Sequence, residues 1–316
     1  MKNISVFVIT YNQEAVIKRL LDSILVQKEW GLQHIIIGDD ASTDGTYSII
    51  TDYCNKYPGV IKAIRNATNL GIYENLQNVV DHKDDSDLFL FIAGDDELCD
   101  GYFEALQEFV AQNNIDVTKP IGIFSDWITE TPSSRKTLNK QDIVIGNNGI
   151  WSLYLRGKVS IRSSVISKKV IDAYKPVDFS HGLLFAESMF DAQPYHLFKE
   201  VYYLPYVASV YYAGVGVSAK LNPRISDYYT KQWRYKWEYY LDHFIDTKED
   251  TYYAKYELKK AEFYENPTFG KYFIMYWYHQ KGKLPHSNNT IKSDFMRFGA
   301  LFKYLIKYYG KPVIYK

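Results

Sequence analysis

The chain has 316 residues, in which 37 Lys and Arg balance 37 Asp and Glu, so no global field marks a nucleic-acid binder or an acidic partner. Its two cysteines, Cys54 and Cys99, stand far apart without metal-ligand spacing and read as buried small hydrophobes, which fits a cytosolic protein with reduced thiols. No apolar run approaches the roughly 18 residues of a spanning helix, and the 30 Tyr, 17 Phe and 6 Trp suit sugars, membrane interfaces and protein contacts alike.

The opening MKNISVFVIT reads as a first strand and not as a signal peptide, because one Lys precedes a short β-branched run that enters a polar turn. Residues 4–9 are almost continuously apolar, the pattern of a strand covered on both faces of a parallel sheet. Ala15, Ile17, Leu20, Leu21, Ile24 and Leu25 recur at helical spacing over 14–27. A second strand at 33–38, the turn STDGT and a helix over 45–56 follow, then a strand at 60–64, the loop NATNLG and a helix over 72–82. A fourth strand at 87–93, a helix over 99–113 and a fifth strand, PIGIFSDW, complete the series. Alternation with such short connections predicts a parallel sheet with right-handed crossovers.

After Trp127 the alternation stops. Residues 128–150 are polar and read as an excursion beside the site, 151–174 hold a short helix and the strand-like VSIRSSVIS, and 197–213 read as extended segments interrupted by Pro205. From about 223 the chain turns helical, with Trp233, Trp237, Tyr240 and Leu241 spaced as one face. Residues 291–316 carry Lys292, Arg297, Lys303, Lys307, Lys311 and Lys316 against the single acid Asp294, interleaved with Phe295, Phe298, Leu301, Phe302, Leu305 and Ile306. A basic amphipathic helix of this kind can make peripheral contact with anionic lipid; a helix docked on the globular body with a solvated lysine face has the same pattern.

Chemistry concentrates at the strand ends. Strand one ends in Thr10-Tyr11-Asn12, strand two in Asp39-Asp40, and strand four in Asp95-Asp96, all at one sheet edge, where ligands of open α/β sheets bind. Thr10 and Asn12 offer donors and acceptors, Tyr11 a flat face for a base, and one carboxylate an acceptor for a base N–H or a ribose hydroxyl. Another carboxylate can hold Mg²⁺ or Mn²⁺, which prefers oxygen and is commonly shared with substrate phosphates. Together the parts describe a nucleoside-diphosphate site.

VFVITYN, IIIGDDASTDGT, Asn69-Leu70-Gly71 followed by Asn75, and FIAGDDEL resemble, in order and spacing over residues 3–110, the family 2 glycosyltransferases of the GT-A fold. The resemblance implies a Rossmann-like, mostly parallel α/β sheet with an aromatic-rich helical C-terminal region. The expected division is 1–220 for the catalytic domain, with a donor-binding half (1–115) and an acceptor half (116–220), and 221–316 for the helical region. It implies an inverting transfer of sugar from a nucleotide-sugar, UDP being the common donor, to a hydroxyl of a glycan or lipid-linked acceptor in polysaccharide or glycolipid synthesis, in the cytoplasm or at the inner membrane face. By the same resemblance Thr10, Tyr11 and Asp40 cradle the base, Asn69 and Gly71 belong to the loop beside it, Asp95 faces ribose or sugar, and Asp96 binds Mn²⁺ or Mg²⁺. Asp39 and Asp44 fit the turn itself.

Relatives commonly place the acceptor base in a Glu-Asp pair at a helix start; here the matching stretch is Phe185-Ala186-Glu187-Ser188, which makes Glu187 the candidate, with Asp191 in reserve one turn later. Where relatives carry Tyr-Arg and then His, this chain has Tyr211-Tyr212-Ala213-Gly214, so His181, Arg162 or Lys158 are the substitutes to consider at the diphosphate. A nucleotidyltransferase would need a glycine-rich basic loop after strand one and a NAD enzyme G-x-G-x-x-G there; Thr10-Tyr11-Asn12-Gln13-Glu14 is neither. A processive synthase would carry Gln-x-x-Arg-Trp, which Gln232-Trp233-Arg234 does not match. The alternative is a catalytically degenerate fold that keeps the donor site as a binding or scaffolding module, for which Ser188 in place of the second acid speaks.

Overall fold

A computed structural model describes residues 1–133, 135–140, 150–155, 159–176, 187–214, 226–282 and 291–309. The chain divides into two compact units, Met1–Lys220 and Leu221–Lys316.

In the first unit, β1 (Ile4–Thr10), β2 (Leu32–Asp39), β3 (Ile61–Arg65) and β4 (Leu88–Ala93) alternate with α1 (Ile17–Leu25), α2 (Thr46–Lys56) and α3 (Ile72–Asp81). β3, β2, β1 and β4 lie side by side and parallel, as the apolar runs predict. The continuous runs are explained by burial on both faces. Val6, Val8, Ile35, Ile37, Leu88 and Leu90 join one core cluster, whereas Phe7, Ile36 and Phe89, the alternate positions, join a second on the opposite face.

Beyond β4 the parallel order breaks. After β5 (Glu97–Leu98), α4 (Tyr102–Gln112) and β6 (Ile121–Glu130) come β7 (Lys136–Asn139), α5 (Ile150–Leu155), β8 (Ser164–Ser167), α6 (Lys168–Asp172), α7 (Glu187–Leu197) and β9 (Glu200–Tyr212). The short β8 is inserted antiparallel between β4 and β6, so the fifth strand of the sequence reading is not β4's neighbour. Short connections predict adjacency, but β8 arrives from about 70 residues downstream with two fully buried faces, Val165 and Ile166 entering opposite core clusters.

Two further expectations are corrected. The polar stretch after Trp127 is partly a hairpin, in which β6 continues to Glu130 and pairs with β7, Trp127 opposite Asn139; residues 141–149 of that stretch lie outside the described ones. Pro205 does not interrupt β9. The register with β6 shifts there, from Ser125 opposite Leu204 to Asp126 opposite Val207, and this bulge absorbs the missing N–H.

The second unit holds α8 (Ser226–His243), α9 (Lys248–Glu265), α10 (Phe269–Lys281) and α11 (Ile291–Tyr308). Thr247 and Thr268 cap α9 and α10, their hydroxyls accepting from the N–H groups of Asp250 and Lys271 at 3.1 and 3.3 Å. Its core is Tyr256, Phe263, Met275, Phe298, Leu301 and Leu305. On α8, Trp237 and Tyr240 are buried as their spacing predicts, but Trp233 is exposed and its indole N–H donates to Glu257 at 3.2 Å. No helix among the described residues is long and apolar enough to cross a membrane.

Candidate active site

The C-terminal ends of β1, β2 and β4 are flush: Thr10 stands opposite Asp39 and Ile9 opposite Ala93. Gly94, the next residue, donates its N–H to the Ile9 carbonyl at 2.9 Å. A Cβ on Gly94 would lie 2.2 Å from Gln13 Oε1 and 3.0 Å from Thr10 Cβ, so a side chain there would displace Gln13 from the turn after β1. Gln13 uses that space, accepting from the Thr10 hydroxyl at 2.7 Å and hydrogen-bonding the Asp95 carboxylate. The Thr10 hydroxyl is therefore a buried strut, while Tyr11 is exposed at the edge. Asn12, at φ 51°, ties the first turn to the second: its amide oxygen accepts from the Thr43 N–H at 2.8 Å and its own N–H donates to Ser42 at 3.0 Å.

Asp40 is almost fully buried and organises the loop before α3. Its carboxylate accepts from the N–H groups of Leu70 and Gly71 at 2.8 and 2.9 Å and from the Asn66 amide at 2.9 Å. Asn66 continues to Asn75 at 3.0 Å, and Asn75 donates to the Gly38 carbonyl at 2.9 Å. Gly71 sits at φ 87°, a conformation that a side chain would strain. The Asn69–Gly71 loop is thus pinned to the end of β2 by a carboxylate, which also leaves the Asn69 side chain exposed. Asp39 holds the neighbouring turn, accepting from the Ser42 N–H at 3.1 Å and pairing with Arg65 at 3.4 Å. Asp44 closes the start of α2 by accepting from the Thr46 N–H at 3.0 Å.

Asp95 and Asp96 follow β4 and are both buried. Burial pushes the Asp96 carboxyl up to about 7, with Arg162 pulling it down and Asp95 adding to the rise. Burial likewise raises Asp95, against the pull of Arg162 and Arg19. Two adjacent carboxyls held above their ordinary range are a site that a cation relieves. Here two guanidiniums face it. Arg162 Nη1 donates to Asp96 Oδ2 at 3.2 Å while its carbon lies 4.0 Å from the Tyr211 ring centroid. Arg19, from α1, donates to the Asp95 carbonyl, pairs with Glu97 at 3.8 Å and lies 3.7 Å from the Tyr212 ring centroid. The Tyr212 N–H donates to Asp96 Oδ1 at 3.3 Å and its hydroxyl to Glu97 at 2.6 Å.

Arg162 reaches this position because Ser163 turns the chain into β8 at φ 59°, with its carbonyl taken by the Ser125 N–H at 3.2 Å. A cavity of about 180 Å³ opens beside the pair, with Phe7, Ile9, Phe91 and Ile161 among its walls and Asp96 and Arg162 at its polar end. The structure therefore brings Thr10, Asp40, Gly71, Asp95 and Asp96 to one edge, sets Arg162, one of the three substitutes named from the sequence, beside them, and adds Gln13 and Arg19. Arg19 lies off the apolar stripe of Ile17, Leu20, Leu21, Ile24 and Leu25, and the sequence reading does not single it out. Where relatives of the resembled family carry Arg and His after Tyr211, this chain offers aromatic rings, and cations from α1 and the turn before β8 stack on them.

Glu187 opens α7, and Asp191 follows one turn later; their side chains, like that of Ser188, lie outside those described. Lys158 and His181 also fall outside the described residues. Asp95 and Asp96 supply hard oxygen donors of the kind Mg²⁺ or Mn²⁺ takes. No group of three or more His, Cys, Asp or Glu that could hold a metal occurs among the described residues, so phosphate oxygens and water would have to complete such a shell.

The family model described as glycosyl transferase family 2 matches residues 5–161, the segment that carries every strand end of this site. The chain belongs to glycosyltransferase family 2. Abequosyltransferase RfbV of Salmonella typhimurium is 31% identical over 186 residues, which cover 56% of this chain and 55% of RfbV. An uncharacterised Mycobacterium tuberculosis protein, Rv1520, is 40% identical over 76 residues, so the matched stretch covers 24% of this chain and 22% of that relative. The GT-A fold is shared with S. aureus TarS. The crystal structure of TarS 1–349 in complex with UDP-GlcNAc matches with a TM-score of 0.60 over 94% of this chain and 92% of that one, at 14% identity.

Proposed function

We propose that this family 2 glycosyltransferase moves a sugar, with inversion, from a UDP-sugar to a hydroxyl of a glycan or lipid-linked acceptor. The observation that carries the reading is the convergence of Tyr11, Asp40, Asp95 and Asp96 on the common C-terminal edge of β1, β2 and β4. The crystal structures of TarS in complex with UDP and with UDP-GlcNAc support a UDP donor.

In this reading residues 1–115 form the donor half. The exposed Tyr11 ring lies against the base, and the Asp40 carboxylate, already holding the Leu70–Gly71 backbone, keeps that loop in place to frame the base and ribose. Thr10 and Asn12 act by fixing the turn that carries Tyr11. Asp95 faces ribose or sugar. Asp96 would hold Mn²⁺ or Mg²⁺, whose chemistry is to offset the negative charge that builds on the departing diphosphate. Arg162, now bonded to Asp96, is placed to turn its guanidinium to a diphosphate oxygen.

Residues 116–220 form the acceptor half, in which Glu187 takes the proton of the attacking hydroxyl as it approaches the anomeric carbon from the face opposite the leaving group, with Asp191 in reserve. The test is a thermal-shift screen of nucleotide-sugars with Mn²⁺. A donor at 100 times its Kd stabilises the fold by about 2.7 kcal/mol, so a clear upward shift with a UDP-sugar supports the reading. No shift with any nucleotide-sugar sinks it, and shift without turnover across an acceptor screen leaves the binding-module alternative.

A further inference from the structure

We infer that the outward face of α10 and α11 is a docking surface for an anionic lipid membrane. Both helices give one side to the core through Met275, Phe298, Leu301 and Leu305, and both carry a second, exposed apolar stripe. On α10 the stripe runs at helical spacing through Phe269, Phe273 and Trp277, exposed at 40, 62 and 49%. On α11 it runs through Phe302 and Ile306, at 41 and 60%, and on to Tyr309 just past the helix end, at 53%. Phe269 joins them, its ring 6.2 Å from Phe302 and 5.2 Å from Tyr309, so this is one continuous face. At Gly270 and Gly299 a Cβ would meet no atom of the described residues within 4 Å.

Charge decides the occupant. Lys281, Lys303 and Lys307 are exposed on these helices, and neither α10 nor residues 298–309 contain a single Asp or Glu. A two-fold dimer through this face would set the same lysines against one another, since an isologous interface repeats one patch. An anionic bilayer offers instead a plane of negative charge for the lysines and an apolar layer below it for Phe273, Ile306 and Phe302, with Trp277 and Tyr309 suited to the headgroup level. The inference does not depend on the transfer reading.

The experiment is co-sedimentation of the full chain with vesicles of phosphatidylcholine alone and of an equal mixture with phosphatidylglycerol. Binding is expected with the anionic vesicles and to be at least about tenfold weaker with phosphatidylcholine alone, the loss of some 1 kcal/mol per lysine. Phe273→Glu combined with Ile306→Glu is expected to abolish it. Lys303→Gln combined with Lys307→Gln, which leaves the apolar face intact, is expected to lower it by about tenfold or more. Circular dichroism of each variant separates loss of the surface from loss of the fold. Absence of binding to anionic vesicles overturns the inference, as do equal binding by the Lys303→Gln, Lys307→Gln variant and a concentration-dependent dimer, seen by light scattering, that the Phe273→Glu, Ile306→Glu variant dissolves.

Discussion

The two halves of the large sheet build the same edge by different means. β1 to β4 are parallel and each delivers a short contiguous motif to its strand end, so Thr10, Asp40 and Asp95 are set by register alone. β8, β6 and β9 run in mixed directions and contribute through distant pairings: Arg162 meets Asp96 across 66 positions, and the Tyr212 N–H meets it across 116. The parallel half fixes a cradle and brings Arg19 to it, whereas the mixed half adds Arg162 and the Tyr212 N–H across long sequence distances. Removing a group from the mixed half should therefore alter chemistry or affinity and spare the cradle.

The sharpest way to break that division is Glu187→Gln. The account expects turnover to fall by roughly 10²–10⁴-fold, the usual worth of a general base, with UDP affinity unchanged by calorimetry. A variant that keeps its rate would hand the base to Asp191 or to no carboxylate of α7.

Arg162→Gln asks whether the mixed half acts on the donor through charge. Removing the guanidinium frees Asp96, so Mn²⁺ binding without nucleotide should strengthen, while UDP binding in saturating Mn²⁺ weakens by about tenfold, one charge-assisted hydrogen bond. If both affinities hold steady, the Asp96–Arg162 pair is a structural ion pair only.

The smallest effect belongs to the parallel half's opposite end, away from the site. Asp84 accepts from Ser5 at 2.7 Å and from the Ser86 N–H at 2.9 Å and contacts His34, pinning the starts of β1 and β2. Burial raises its carboxyl, but these bonds outweigh it, and the net position is below the ordinary value. A carboxylate depressed in the folded state contributes stability above its unfolded pKa and loses it as pH falls through the folded one. Asp84→Asn should thus cost about 1 kcal/mol at pH 7 by denaturant unfolding, with the gap from wild type closing as acid protonates Asp84, and no change in donor affinity.

How much of this was legible follows the same line. The apolar runs of β1, β2 and β4 and the Asp40 and Asp95-Asp96 motifs are local in sequence, and so could be placed without a structure. The insertion of β8, the hairpin through β7 and the bulge at Pro205 depend on pairings that no local pattern encodes. Asp40 shows the limit inside the legible half: its position was readable, but its bonds to Leu70, Gly71 and Asn66 were not, because they join two loops through backbone N–H groups. Arg19 was hidden for a related reason, and Arg162, named beside His181 and Lys158, could not be singled out among them. A lone arginine in a helix or turn has no spacing to interpret until Tyr211 and Tyr212 come beside it.

In the proposed function Asp96 anchors the donor through a divalent cation at this edge, which titration calorimetry of UDP with and without Mn²⁺ measures. Wild type should bind UDP far more tightly with Mn²⁺ than without, and Asp96→Asn should lose that gain, roughly a hundredfold in Kd, while keeping the wild-type fold by circular dichroism. An Asp96→Asn variant that binds UDP with the same Mn²⁺-dependent affinity as wild type would contradict the account.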